Sequence, residues 1–191
     1  GRLTATPNDT DALELKSVIL RAKSDRSGAE NVMRQALTYD PACAWAHNDL
    51  TELLHGSGQK AAAEIAARAA VTALPDDAQA HMQLAVILGE KDDLPAAEFH
   101  NRRALELAGP HPQLLTNLGL CLYNQGRIDE ALPPLLQAHT SQPDLAMLMA
   151  HISRCFEAKR DMAQAFAWLE RAEQTGEDFT LLRAQYLSNA G

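Results

Sequence analysis

The chain has 191 residues and a net charge of −8, and it holds 34 alanines and 28 leucines against four valines and five isoleucines. Because strands favour branched and aromatic side chains, this composition excludes a β-sandwich or a parallel sheet and predicts a nearly all-helical protein. Acidic residues spread along the whole length disfavour nucleic acid and anionic membranes as partners, and no apolar run approaches the roughly 18 residues that a membrane span needs.

Apolar residues at three- and four-residue spacing predict helices in pairs, separated by short turns such as those at Gly58 and Gly126. The first helices of the pairs are expected at 11–23, 44–56, 78–90, 112–125 and 146–158. The second helices are expected at 26–39, 59–74, 94–108, 129–141 and 161–174. If Asp129 is the N-cap of its helix, Pro133 and Pro134 lie near the helix start, where a missing N–H costs least.

The helix pairs repeat with a period of 34 residues. Two alanine columns, seven residues apart, keep this spacing through five copies: Ala29, Ala63, Ala97, Ala131 and Ala165, and then Ala36, Ala70, Ala104, Ala138 and Ala172. A column of small residues follows the same step in the first helices: Ser17, Thr51, Ala85, Gly119 and Ser153. Three copies close on a proline: Pro41, Pro75 and Pro143. A hairpin of this kind cannot bury its own apolar face, so the copies are expected to stack.

In this register the sequence resembles the tetratricopeptide repeat (TPR) family, most closely from Leu115 to Pro143. The resemblance implies an all-α fold, a right-handed superhelical solenoid of stacked helix-turn-helix repeats. It predicts a flexible leader at 1–9, five repeats within 10–178 and a terminal helix at 179–191. The five repeats are expected at 10–43, 44–77, 78–111, 112–145 and 146–178. His47 and His81 depart from the family pattern, which has a large apolar residue at their position.

The C-terminal segment indicates one more first helix, in a register shifted by three residues, from the residues Leu181, Ala184, Leu187 and Gly191. The sequence stops where a second helix would begin. Either this helix caps the stack or the chain is cut from a longer protein, and the second alternative is favoured.

No catalytic motif is present, whether a Gly-rich phosphate loop, a nucleophile elbow, His-Glu-x-x-His or Cys-x-x-Cys. Cys121 and Cys155 occupy one repeat position on neighbouring helices, about 8–10 Å apart, which is too far for a disulfide. His47 and His81 are also one repeat apart, too far for a shared zinc ion. We therefore expect no catalytic residue, no metal and no cofactor. The odd number of cysteines slightly favours a reducing compartment such as the cytoplasm.

The resemblance places the binding surface on the concave face, which the first helices line. Its inward-facing positions carry over to Trp45, Asn48, Glu52, Gln79, Met82, Gln83, Val86, Gln113, Thr116, Asn117, Leu120, Tyr123, Met147, His151 and Arg154. Side-chain amides both donate and accept, so those in this set suit the backbone of an extended peptide, and the aromatic and Met residues supply contact area. Alternatively, several of these side chains pack between neighbouring first helices. Only His151 and Arg154 can meet an anion, which disfavours the TPR mode that grips an acidic C-terminal tail.

Our leading hypothesis is a non-catalytic protein–protein interaction module that binds a peptide or protein segment in this groove. The alternative is the N-terminal TPR arm of a larger bacterial enzyme, such as a sulfotransferase or glycosyltransferase, that presents substrate or partner. Self-association through the edge repeats is a third possibility.

Overall fold

The computed structural model describes residues 9–190, and every element in this part of the chain is an α-helix. The helices are α1 (Thr10–Ala22), α2 (Arg26–Tyr39), α3 (Ala44–Gly56), α4 (Lys60–Ala73), α5 (Ala78–Glu90), α6 (Leu94–Ala108), α7 (Pro112–Asn124), α8 (Ile128–Ser141), α9 (Ala146–Ala158), α10 (Met162–Glu173) and α11 (Thr180–Ala190). The predicted leader, apart from Asp9, and Gly191 lie outside the described residues. None of the described helices is long and apolar enough to cross a membrane.

Each of α1 to α10 begins and ends within one residue of the bounds expected from the repeat. Aspartate side chains cap several of them. Asp25 accepts a hydrogen bond from the backbone N–H of Gly28, and Asp77 accepts one from Ala80. These bonds satisfy donors that the first turn of a helix leaves free, so they fix where the helix begins.

The chain divides after Leu107 into two compact units. In the first unit, α1 packs on α2 and α3 on α4, and contacts of α2 with α3 and of α4 with α5 join the hairpins. In the second unit, α7 packs on α8 and α9 on α10, while α8 contacts α9 and α10 contacts α11. Each unit therefore stacks its helices in chain order.

The alanine columns form the contacts between the two helices of each hairpin. All ten alanines are at most 1% exposed, which explains why no larger residue interrupts the columns. The small-residue column is equally buried, with Ser17 and Ser153 fully covered. At Gly119 a Cβ atom would lie 2.5 Å from Leu135 Cγ and 3.2 Å from the carbonyl oxygen of Ala131. Helices α7 and α8 therefore approach too closely for any side chain at this position.

One position in the turn between paired helices has a left-handed backbone in all five copies. Its φ is 74° at Gly58 and 75° at Gly126, but also 61° at Ser24, 65° at Asp92 and 63° at Arg160. Glycine adopts this conformation without steric cost, whereas other residues lose about 1–2 kcal/mol. The turn geometry is therefore set by the repeat and not by the residue at this position.

The N-cap predicted at Asp129 is wrong. Helix α8 begins at Ile128, and its N-cap is Arg127. Pro133 and Pro134 consequently lie inside the helix, beyond its first turn, where proline removes a helical hydrogen bond and strains the backbone. The acidic side chains Asp129 and Glu130 occupy the first turn instead, where they interact favourably with the helix dipole.

The three-residue register shift predicted for α11 is also wrong. Leu181, Ala184 and Leu187 are exposed, while Leu182 and Tyr186 are buried. Leu182 and Tyr186 stand one unshifted period after Leu148 and Ile152, which are buried on α9. The hydroxyl of Ser153 is hydrogen-bonded to the Ala165 carbonyl oxygen at 2.6 Å and to the Tyr186 hydroxyl at 3.0 Å. Helix α11 thus continues the repeat without a shift.

The two histidines that replace large apolar residues are buried, as expected of a helix-packing position. The Nε2 atom of His47 lies 2.9 Å from the Pro41 carbonyl oxygen, and that of His81 lies 3.0 Å from the Pro75 carbonyl oxygen. Because a carbonyl only accepts, the imidazole N–H donates in both cases. Each histidine therefore binds the carbonyl of the proline that closes the preceding repeat.

Candidate functional site

The fifteen residues predicted to line a groove all keep some contact with solvent. We call the side of each unit that carries them its A face, formed by α3 and α5 in the first unit and by α7, α9 and α11 in the second. Five are exposed, namely Glu52, Gln79, Gln113, Met147 and Arg154, and the other ten are half-buried. Partial burial of this kind is compatible with ligand contact and with packing between helices.

The A face of the first unit contains a half-open cavity of about 240 Å³ between α3 and α5. Five predicted residues line it together with Thr51, His55 and Ile87: Glu52, Gln79, Met82, Gln83 and Val86. Met82 and Val86 give it an apolar wall, and Glu52 and Gln79 give it a polar edge. Glu52 is not free, because the Arg21 guanidinium on α1 lies 3.3 Å from its carboxylate.

The amides in this region are partly used within the protein. The Gln83 side chain donates a hydrogen bond of 3.0 Å to the backbone carbonyl of Asn48, which ties α5 to α3. The Gln83 Oε1 and Asn48 Oδ1 atoms and, in the second unit, the Asn117 Nδ2 atom are buried without a hydrogen-bond partner in the protein. Buried polar groups are normally paired, so these three amides retain bonding capacity for water or a ligand.

Trp45 does not line this cavity between α3 and α5. Its ring packs against a buried cluster of α1, α2 and α3 that includes Leu13, Val32 and Cys43. Trp45 stays a predicted groove residue, and its half-buried ring also packs against this cluster.

The A face of the second unit contains a cavity of about 360 Å³ between α9 and α11. Met147, His151 and Arg154 of the predicted set line it, and so do Phe179, Leu181 and Gln185, which the sequence analysis missed. Leu181 and Gln185 stand one period after Met147 and His151, so an unshifted repeat would have found them. Burial, and secondarily the charge of Arg154, lowers the pKa of His151, so its imidazole is neutral at pH 7.

The predicted residues on α7 lie outside these two cavities: Gln113, Thr116, Asn117, Leu120 and Tyr123. Thr116 is tied to its own helix, because its hydroxyl donates to the Pro112 carbonyl at 2.9 Å. Burial raises the pKa of Tyr123, and the charge of Arg154 opposes that rise. Helices α7 and α9 contact each other, so Tyr123 and Arg154 lie on neighbouring helices of this A face.

A larger apolar cavity, of about 580 Å³, lies on a different side of the first unit, along α2 and α4. Its lining includes Leu37, Ala62, Ile65 and Ala66, and no predicted groove residue. Ile65 is 72% exposed at its edge. The cavity exists because α4 presents alanines where longer side chains would fill the space. Size alone does not make it the functional site, because its walls offer few polar groups to orient a ligand.

Comparison with known proteins agrees with the repeat register. The family model described as tetratricopeptide repeat matches residues 15–78 and 82–146, which together make up about two thirds of the chain. No curated protein sequence matches the chain. In the described part of the chain, no group of three or more His, Cys, Asp or Glu side chains is placed to hold a metal ion.

Several solved structures share the fold. A MamA structure superposes with a TM-score of 0.76 at 20% identity, over 87% of this chain and 91% of MamA. YrrB, described as a TPR protein with an unusual peptide-binding site, gives 0.75 at 21% identity over 88% of both chains. PilF of Pseudomonas aeruginosa gives 0.77 at 18% identity, over 91% of this chain and 80% of PilF. Identities this low establish a common fold and nothing more specific.

Proposed function

The chain belongs to the tetratricopeptide repeat family, and from this premise we propose that it is a non-catalytic interaction module that binds a peptide segment of a partner protein on its A faces. Tetratricopeptide repeats typically serve as scaffolds for protein interaction. The observation that carries the proposal is the pair of A-face cavities, each of which combines apolar walls with polar side chains. Such a combination suits a peptide, because apolar walls supply affinity and polar groups fix orientation.

Two further observations support a peptide ligand. The unpartnered amide atoms of Asn48, Gln83 and Asn117 match the donors and acceptors of a peptide backbone. YrrB, one of the proteins with the same fold, is described as having a peptide-binding site. Neither observation specifies a sequence for the ligand. We therefore propose a site that forms hydrogen bonds with the peptide backbone and holds apolar side chains of the peptide in its cavities.

The test is selection of a random peptide library on the full chain, followed by affinity measurements with the selected peptides. We expect Met82→Ala combined with Val86→Ala, or Tyr123→Ala, to weaken binding by about fivefold or more, as for anchor residues of an interface. Ile65→Ser is the matched control, since it removes an exposed apolar side chain outside the A faces. If every selected peptide binds all these variants equally, or if no peptide is enriched, the proposal is wrong.

A second candidate function is self-association through α1. Ile19 on α1 is 46% exposed, whereas Ile87, Cys121 and Cys155 at the same repeat position are at most 6% exposed. Leu15 on the same helix is 62% exposed, so α1 presents an apolar face. We propose that a second copy covers this face. Light scattering over a concentration series tests it: Ile19→Lys should abolish association, and a wild-type chain that stays monomeric throughout rules it out.

The alternative of a TPR arm attached to a larger bacterial enzyme stays a prediction. Reading the parent gene on both sides of this segment tests it directly.

A further inference from the structure

Arg154 is an arginine without a carboxylate partner in the cavity between α9 and α11. Among the described residues, no Asp or Glu oxygen lies within 4.0 Å of its guanidinium, whereas Arg21, Arg34 and Arg68 each hold one. Arg26, Arg160 and Arg171 also hold no carboxylate partner among the described residues, but Arg154 differs from them because it lines this cavity. An exposed guanidinium presents a planar set of donors that matches a carboxylate in bidentate geometry.

The groups around Arg154 define what else the ligand must carry. Met147, Ala150, Phe179 and Leu182 form an apolar lining beside the guanidinium. The cavity of about 360 Å³ has room for one large side chain. A ligand that fills this space therefore carries a carboxylate next to an apolar group.

The charges around the cavity limit the number of acidic groups that its ligand can carry. His151 is neutral at pH 7, because burial lowers its pKa, so Arg154 supplies the positive charge. Asp178 also lines the cavity, and its carboxylate accepts hydrogen bonds from the backbone N–H and the hydroxyl of Thr180 at 2.8 and 2.6 Å. These bonds lower the pKa of Asp178 and keep it charged. A second acidic group on the α11 side would meet this negative charge.

The position of Arg154 indicates an internal acidic residue and not a chain end. Arg154 lies on α9, which contacts α7, and the lining of the cavity continues from α9 onto Leu181 and Gln185 of α11. Surface of the same A face therefore extends on both sides of the guanidinium. A peptide chain can continue in both directions from a side chain held there.

On these grounds we infer that the cavity between α9 and α11 binds a peptide segment through a single internal Asp or Glu, held by Arg154, and an adjacent large apolar residue, buried against Met147, Phe179 and Leu182. The inference rests on the proposed peptide-binding function and names the peptide chemistry that the second unit recognises. It excludes polyacidic segments as the preferred ligands because of Asp178.

The test compares random dodecapeptide libraries, with both ends blocked, selected in parallel on the wild-type chain and on Arg154→Gln. Peptides enriched on the wild type should carry one acidic residue beside a large apolar one, and this pattern should disappear on Arg154→Gln. Arg160→Asn is the control: it removes one positive charge from the second unit outside the cavity, and asparagine tolerates the left-handed backbone there. This control should select the wild-type pattern. Circular dichroism confirms that each variant is folded.

The affinities of one selected peptide and its variants then test whether its acidic residue pairs with Arg154. Replacing its acidic residue by the amide should weaken binding to the wild type roughly tenfold, as for a hydrogen bond to a charged group, and should change binding to Arg154→Gln by less than about twofold. The same peptide with a free C-terminal carboxylate in place of the internal acid should bind more weakly. Peptides that depend on Met82 and Val86 or on Tyr123 but not on Arg154 would overturn this inference and leave the proposed function standing. Failure to select any peptide would refute both.

Discussion

Replacing Gly119 by alanine tests how closely α7 and α8 approach. The added Cβ would lie 2.5 Å from Leu135 Cγ and 2.7 Å from Leu135 Cδ2, and Leu135 is fully buried. It would also lie 3.2 Å from the Ala131 carbonyl oxygen, which belongs to the backbone and cannot rotate away. Overpacking of this kind costs about 1–3 kcal/mol. Alanine is a better helix former than glycine by about 1 kcal/mol, so the expected net loss is roughly 0–2 kcal/mol.

The same substitution at a second helical glycine measures the gain in helix propensity without the overpacking. Gly89 lies in α5, and a Cβ added there would meet nothing within 4 Å. Gly89→Ala is therefore expected to stabilise the chain by up to about 1 kcal/mol. The two substitutions are the same chemically, so the difference of about 1–3 kcal/mol between them measures the overpacking at the α7–α8 contact.

Urea unfolding followed by circular dichroism measures both variants. A second background provides a further check: Leu135→Ala removes both atoms that the new Cβ would strike, so Gly119→Ala should cost much less there than in the wild type. If Gly119→Ala is as stabilising as Gly89→Ala, or if its cost is unchanged without the Leu135 side chain, the close approach of α7 and α8 is wrong.

Further predictions concern protonation, the last helix, the turns and the thiols. Burial lowers the pKa values of His100 and His151, so the unfolded chain binds more protons than the folded one as the pH drops through about 6.5. The free energy of unfolding, measured by urea titration, should therefore fall there by less than about 1.4 kcal/mol per pH unit for each histidine. Tyr186→Phe removes one hydrogen bond and should cost about 1 kcal/mol, seen as faster hydrogen exchange in α11. Arg160→Gly should stabilise the chain by up to about 1 kcal/mol in thermal unfolding, because φ there is 63°. Burial raises the pKa of Cys155 to about 11, so Ellman's reagent should label it only after denaturation.

The sequence predicts the helices well because their determinants are local and repeated. An alanine that must be covered by a neighbouring helix recurs every 34 residues, and all ten such alanines are buried as that role requires. An unfavourable residue in one copy therefore does not obscure the pattern that the four equivalent positions show. This redundancy explains why Ser24 and Arg160 adopt the same turn as Gly58 although neither residue favours it.

The prediction fails at two places where a local pattern disagrees with the repeat. Arg127 precedes α8 without any side-chain cap, so sequence rules that look for an acidic or hydroxyl N-cap chose Asp129. In α11 the spacing of Leu181, Ala184 and Leu187 indicates the wrong buried face, whereas Tyr186 is buried as the unshifted repeat requires. Trp45 stands at a groove position of the repeat, and its ring also packs against the cluster around Leu13 and Val32, a contact that the repeat pattern does not specify.

The same reasoning explains why the repeat leaves ligand chemistry open. Columns that hold the helices together keep one type of residue, alanine, since only a small side chain fits between packed helices. The column that contains Arg154 holds Glu52, Val86 and Leu120 in the preceding repeats, so packing does not decide its chemistry. Contacts with a partner must therefore come from the columns that vary, and among the A-face residues Arg154 combines a place in the lining of a cavity with a guanidinium that no carboxylate of the described residues pairs with.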